Sequence, residues 1–289
     1  MTAHPMALHP GHAALMPFVG TGWDAVTLPQ LNAWLAAAAA PPTSGSGALI
    51  AFVHSASAVS ALEYECGIHR TGVVPLRPGN RHDLFNALCW LCFPRFKRAC
   101  NALHAATATA RRRGSADGRG RGPVRDALTL LDESGVLVLC ADAALASLLR
   151  DRQWKMLFCA RRTDVLRSLR FLACGHALHE KLLASYPSLT GKALILDAPD
   201  ALLDESPQVQ RGFADRQVAQ AIEAGLEPSQ LMPLPLLGIP GWNAANDLVS
   251  FYDDTSVFRP ARSAIIEGNA TTVGQSSSAP ASFNSSADP

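Results

Sequence analysis

Two short stretches hold residue types whose spacing suits chemistry: NRHDLFNALCW (80–90) and GHALHEK (175–181). In the first, His82 and Asn86 stand one helical turn apart, with Cys89 or Trp90 a further turn on. In the second, His176 and Glu180 share the same spacing, with His179 close by. An imidazole near a helix N-terminus stays neutral, because the positive end of the helix dipole opposes its protonation. Neutral imidazole is the form that general-base catalysis and metal binding require. The second string is neither H-E-x-x-H nor H-x-x-E-H, so a known zinc-peptidase signature is absent.

If the two helix starts converge, they form one pocket suited to a phosphate-like anion or a divalent metal. His82, His176, Glu180 and Arg125 are then the catalytic candidates, with Arg125 as anion clamp. His82, His176 and Glu180 are the candidate metal ligands, and Asn86, Asp83, Asp126 and Lys97 complete the binding set. Each residue also has a structural explanation. Asn80 suits a helix N-cap, and Asp83, three residues on, answers the cap's own N–H as an acidic capping box. Glu180 finds a partner in Lys181 or an arginine, and the histidines join Arg125 in a buried hydrogen-bond network. CWLC (89–92) has redox spacing but lies inside an apolar helix, where inert buried thiols are expected.

The elements that must position these residues are read from periodicity and punctuation. Residues 1–22 carry little pattern and are expected to be a flexible segment. Leu28–Ala40 reads as a helix stopped by Pro41-Pro42, and ALIAFV (48–53) as a buried strand. The quoted helix runs from Asn80 to a break at Pro94. Residues 105–122 are low in complexity and predict a mobile Arg/Gly-rich loop. DALTLLDESGVLVLC reads as a hairpin, with Arg125-Asp126 starting its first strand and Asp132-Glu133 in the turn. ALASLLRDRQWKMLF predicts one or two short helices, and KALILDA a further strand. The proline-rich stretch from Leu226 to Arg262 predicts an extended crossing anchored by Trp242, Phe251, Tyr252 and Phe258. Residues 268–289 are Ser/Ala/Asn-rich and predict a disordered tail. The fold class expected is α+β: a mostly helical single domain over residues 23–267, with a small sheet or hairpin and an extended C-terminal segment.

The blocks RHDLFNALCWLCFPRFK, GRGPVRDALTLLDESG, GHALHEK, PLPLLGIPGW and FYDDTSVFRP resemble those of the bacterial domain-of-unknown-function 3025 family. The resemblance covers roughly residues 60–262. It falls on His82, Asp83, Asn86, Trp90, Pro94, Lys97, Arg125, Asp126, Thr129, Asp132, Glu133, Gly175, His176 and Glu180, and it implies no activity for any of them.

Net charge is +1 and charged residues make up 17% of the chain, so no global field marks a nucleic-acid or membrane binder. The exception is local: ten Lys or Arg face two acids between Arg81 and Arg125. Arg81, Arg95, Lys97, Arg98, Arg111–Arg113, Arg119 and Arg121 form a candidate phosphate-tracking strip for RNA or DNA. The N-terminus lacks the pattern of a secretory signal, and no run approaches the roughly 20 apolar residues of a membrane span. Seven cysteines in mostly apolar runs suit a reduced, cytoplasmic setting. P-loop, nucleophile-elbow, kinase and dinucleotide signatures are all missing. The leading expectation is a non-enzymatic binding or interaction protein with a buried polar network. A hydrolase-type enzyme and a nucleic-acid binder are the alternatives.

Overall fold

The computed structural model describes residues 8–20, 22–56, 60–112 and 122–261. Their helices are α1 (Met16–Val19), α2 (Leu28–Ala37), α3 (Ala61–Thr71), α4 (Arg81–Cys92), α5 (Pro94–Arg112) and α6 (Gly122–Ser134), then α7 (Ala143–Arg150), α8 (Arg162–Ser168), α9 (His176–Leu182), α10 (Asp200–Leu203) and α11 (Pro207–Glu223). The strands are β1 (Ala51–His54), β2 (Val73–Leu76), β3 (Gly135–Cys140), β4 (Leu169–Ala173), β5 (Thr190–Asp197) and β6 (Met232–Pro235). This is the mixed α+β single domain that the residue pattern implies. None of the helices is long and apolar enough to cross a membrane among the described residues.

The larger sheet has the order β4-β3-β5-β6. β3 runs parallel to β5 and antiparallel to β4, and β5 is antiparallel to β6. Side chains alternate across a strand, so β3 feeds two cores. Leu137 and Leu139 join the first core with Phe85, Leu128, Leu131 and Val218. Val136 and Val138 join the second with Phe158, Leu178 and the proline-rich segment. In that segment Trp242, Tyr252 and Phe258 are buried and Phe251 packs against them, as expected of anchors. Apart from β6, however, much of the chain between Pro228 and Asp253 forms short 3-10 turns where an extended crossing was expected. β1 and β2 form a separate parallel pair, with α3 as the crossover.

α4 begins where its cap chemistry says: the Asn80 side chain accepts from the Asp83 N–H at 2.9 Å. It ends at Cys92, and a single residue, Phe93, separates it from Pro94 at the start of α5. The first turn of α5 is capped from a distance, since the buried Asp215 carboxylate accepts from the Arg95 and Phe96 N–H groups at 3.2 and 2.9 Å.

Three expectations are corrected. Residues 122–134 are a helix, not the first strand of a hairpin. Ala127, Leu128 and Leu131 are fully buried, and their spacing matches a helical period. Arg125, Asp126, Asp132 and Glu133 are therefore helical, and the hairpin turn does not exist. Residues 105–112 continue α5, with Ala105, Thr107 and Ala108 buried, where a loop was predicted. Alanine's high helix propensity carries that stretch. The rest of the predicted loop, 113–121, lies outside the described residues, as does the predicted tail from 268. Residues 10–19 are two short helices, not a flexible segment, because His12, Leu15 and Val19 are buried in the core.

Candidate functional site

Two glycines bring the site together. The N–H of Gly175 and that of Cys174 both donate to the Gly135 carbonyl, at 3.1 and 2.9 Å. A Cβ on Gly175 would lie 2.4 Å from the Gly135 nitrogen and 2.7 Å from the Glu133 carbonyl carbon. Such separations are below any real contact, so this crossing needs glycine for space. It sets the first residue of α9, His176, directly beside the last turn of α6.

His176 is 6% exposed and meets the half-exposed His82 of α4. Their Nε2 atoms are 3.1 Å apart, with the rings nearly perpendicular at 78°. Each ring turns its other nitrogen to a carboxylate. His82 Nδ1 is 3.4 Å from Glu180 Oε2, and His176 Nδ1 is 3.8 Å from Asp132 Oδ2. The second distance is an electrostatic contact, beyond hydrogen-bonding range. A second acid, Glu133, stands with Oε2 3.6 Å from His176 Nε2. One ligand atom from each of His82, His176 and Glu133 lies within 4.8 Å of the others.

Behind His176 is a buried ion pair. Lys97 Nζ donates to both Asp132 oxygens at 2.6 and 2.9 Å, and it lies 5.7 Å from the Trp90 ring centre. Burial opposes the charge on Asp132, but Lys97, aided by His176, overrides it and holds the carboxyl well below the usual carboxylate range. Burial likewise opposes the lysine charge, and Asp132 with Glu65 keeps Lys97 protonated. Asp132 is thus a permanent anion aimed at the inner side of His176.

The histidine pair borders a cavity of about 460 Å³ between α3, β2, α4, α5 and α6. Arg125, Thr129, Asp132 and Glu133 line it from one face of α6, at helical spacings of four, seven and eight residues. No carboxylate pairs with Arg125 among the described residues. Asn86 enters from α4, donating through Nδ2 to the Tyr64 hydroxyl at 2.8 Å, while its Oδ1 is buried without a partner. Burial pushes the Tyr64 phenol up, so it is a neutral O–H donor.

The expected residues are therefore placed unequally. His82, His176, Arg125, Asn86 and Asp83 border one cavity. Glu180 is exposed and reaches the outer side of His82. It pairs with neither Lys181 nor an arginine among the described residues. Asp83 is occupied: its carboxylate accepts from the Arg77 backbone and guanidinium at 2.7 to 2.9 Å, so no acidic capping box forms. Arg77 overcomes the effect of burial and lowers the Asp83 pKa. Asp126 is exposed on α6 and does not border the cavity. Lys97 is a buried partner of Asp132, which removes it from the basic strip. Of that strip Arg81, Arg95 and Arg98 are exposed, while the side chains of residues 111–113, 119 and 121 lie outside the described residues.

Glu133, Asp132, Thr129 and Tyr64 were not foreseen as site residues. The first three become visible once 122–134 is read with a helical period. His179, three positions after His176 in α9, turns into the core. It is fully buried, stacked on Phe85 and His12, and the His12 Nε2 bonds its carbonyl at 2.9 Å. CWLC is inert: Cys89 and Cys92 are buried and free, and burial raises both thiols, Cys92 to about 12.

No curated protein and no solved structure matches the chain. Residues 50–262, which include every residue bordering the cavity, match the family described as protein of unknown function (DUF3025), and the chain belongs to that family.

Proposed function

We propose that this cavity is the active site of a hydrolytic enzyme acting on a small anionic substrate. The observation that carries the reading is the meeting of His82 and His176, 94 positions apart in sequence, at 3.1 Å on the border of an open cavity. His82 and Glu133 keep side-chain exposures of 36% and 44%, so solvent and a ligand can reach the pair. Arg125, uncommitted among the described residues, suits an anionic group as clamp. Water is activated at the histidine pair and its oxygen bonds to the substrate's phosphorus or carbonyl carbon. The bond to the leaving oxygen breaks, and a proton lost by the water ends on that oxygen. Glu180 and Asp132 orient the two rings from behind.

The same network also fits a non-enzymatic binding protein, a reading favoured by the Lys97–Asp132 pair, which fixes the interior of the cavity wall. An assay separates the two. The purified chain is given phosphate monoester, phosphate diester and carboxylic ester chromogens, with and without added divalent cations. Turnover that falls at least about 100-fold in His82→Ala and in Arg125→Ala, with unchanged melting temperature, supports the enzyme. Anion binding lost in the same variants, with no turnover of any ester, supports the binding protein.

A further inference from the structure

We infer that the cation belonging between His82 and His176 is a Zn²⁺-like divalent metal, bound by His82 Nε2, His176 Nε2 and Glu133, with Glu180 and Asp132 orienting the ligands. This deepens the hydrolytic reading by naming what activates the water, and it makes the histidines ligands in place of bases.

Three independent observations carry it. The first is orientation. A carboxylate stands at the Nδ1 side of each ring, 3.4 Å away for His82 and 3.8 Å for His176. At His82 this contact favours the proton on Nδ1 and leaves a lone pair on Nε2, the arrangement of metal-binding histidines backed by a carboxylate. His176 Nδ1 is buried without a hydrogen-bond partner, with the Asp132 anion behind it. The two Nε2 atoms face each other at 3.1 Å, close enough that one cation between them would take a lone pair from each.

The second is spacing. Two ligand atoms, each about 2.0–2.1 Å from one zinc ion, lie about 2.9 Å apart at a right angle and about 3.4 Å apart at the tetrahedral angle. The two Nε2 atoms, at 3.1 Å, fall between these limits, and the Glu133 oxygen, 3.6 Å from His176 Nε2, needs only a small rotation of an exposed side chain to join them. Glu180 is on the far nitrogen of His82 and cannot share an ion with both Nε2 atoms.

The third is charge. Neither Glu133 nor Glu180 pairs with a lysine or arginine among the described residues; their ionic contacts are to His176 and His82. Asp132 is already neutralised by Lys97. The two carboxylates beside the histidine pair thus lack a direct lysine or arginine contact among the described residues, and a divalent cation would answer their charge. Three protein ligands and an open cavity side leave a position for water, the pattern of catalytic rather than structural zinc. Two imidazoles and one carboxylate also select against Mg²⁺, which prefers oxygen ligands.

The test is calorimetric titration of the full chain, stripped with chelator, using Zn²⁺ and separately Mg²⁺, together with the absorption spectrum of the Co²⁺-loaded protein. The inference expects one Zn²⁺ per chain, a Co²⁺ spectrum of low coordination number, and no competition from millimolar Mg²⁺. His82→Ala and Glu133→Ala, both at partly exposed helix positions where folding is retained, weaken Zn²⁺ at least about 100-fold, and Glu180→Gln about 10–100-fold. Absence of stoichiometric Zn²⁺, or affinity unchanged in Glu133→Ala, overturns it. Ester turnover in chelator-stripped protein overturns the metal and leaves the hydrolytic reading standing. Stoichiometric Zn²⁺ without turnover of any ester does the reverse.

Discussion

Gly175 lies against Gly135 so closely that no side chain fits between the start of α9 and the junction of α6 with β3. The φ of Gly175 is −75°, open to any residue, so the requirement is for space and not for an unusual backbone. Through this contact a residue with no chemistry of its own determines where His176 meets Asp132 and Glu133.

Gly175→Ala is expected to destabilise the fold by at least about 3 kcal/mol, the upper range for forcing extra volume into a packed site. Urea unfolding followed by far-ultraviolet circular dichroism measures this. A loss under 1 kcal/mol would mean that the crossing is loose and the histidine geometry is not dictated by it.

Breaking the Lys97–Asp132 pair leaves one charge buried alone. Lys97→Met and Asp132→Leu are each expected to cost about 3–5 kcal/mol, while the double variant recovers much of that loss by removing both charges. Denaturant midpoints of the four proteins form the cycle. Additive single losses would show that the two groups do not depend on each other.

Stability should fall below about pH 6.5 because of the histidines under the N-terminal helices. Burial, then the neighbouring His12, depresses His179 from 6.5 to about 3. Between these values the unfolded chain binds a proton that the folded chain refuses, so folding weakens as pH falls, by about 2 kcal/mol from pH 6.5 to 5 for this one group. His12 is lowered in the same direction. Asp215 works against this: burial raises it to about 6, so the folded form takes up the proton first and gains stability as pH falls from 6 towards 3.8. Measured unfolding free energies at pH 7, 6 and 5 should therefore decline, and His179→Phe should flatten the slope. An unchanged slope in that variant would remove His179 as its source.

Thiol accessibility tests the inertness of CWLC. Cys66 and Cys159 are partly exposed and the other five cysteines are buried, Cys89 and Cys92 among them. A thiol-specific chromogen should label two groups in the native protein and all seven in guanidinium. Rapid native labelling of Cys89 would contradict the packing of α4.

Much of the site's framework was legible from the chain itself. Asn80 and Pro94 mark the limits of α4 through cap hydrogen bonding and a missing N–H, both interactions within a few residues. His82 with Asn86, and His176 with Glu180, are paired by the helical period. The buried strand β3 and the inert thiols follow from apolar runs, whereas the ALIAFV run yields only the largely exposed β1, with Phe52 alone buried. α6 resembles a strand when Leu128–Leu131 is taken as an apolar run, but the three- and four-residue spacing of Val124, Ala127, Leu128 and Leu131 carries the helical signal.

What the tertiary structure alone decided is which acid meets which imidazole. Glu180 is one turn from His176 in its own helix, yet it serves His82. Glu133 and Asp132, more than forty positions earlier, face His176. Lys97 was legible as a cation for the pocket or for the basic strip, and a distant carboxylate drew it into the interior. Caps and periods are short-range and are written locally. The crossing of α4, α6 and α9 depends on how closely two glycines allow separate backbones to approach, and that is settled only when the whole core packs.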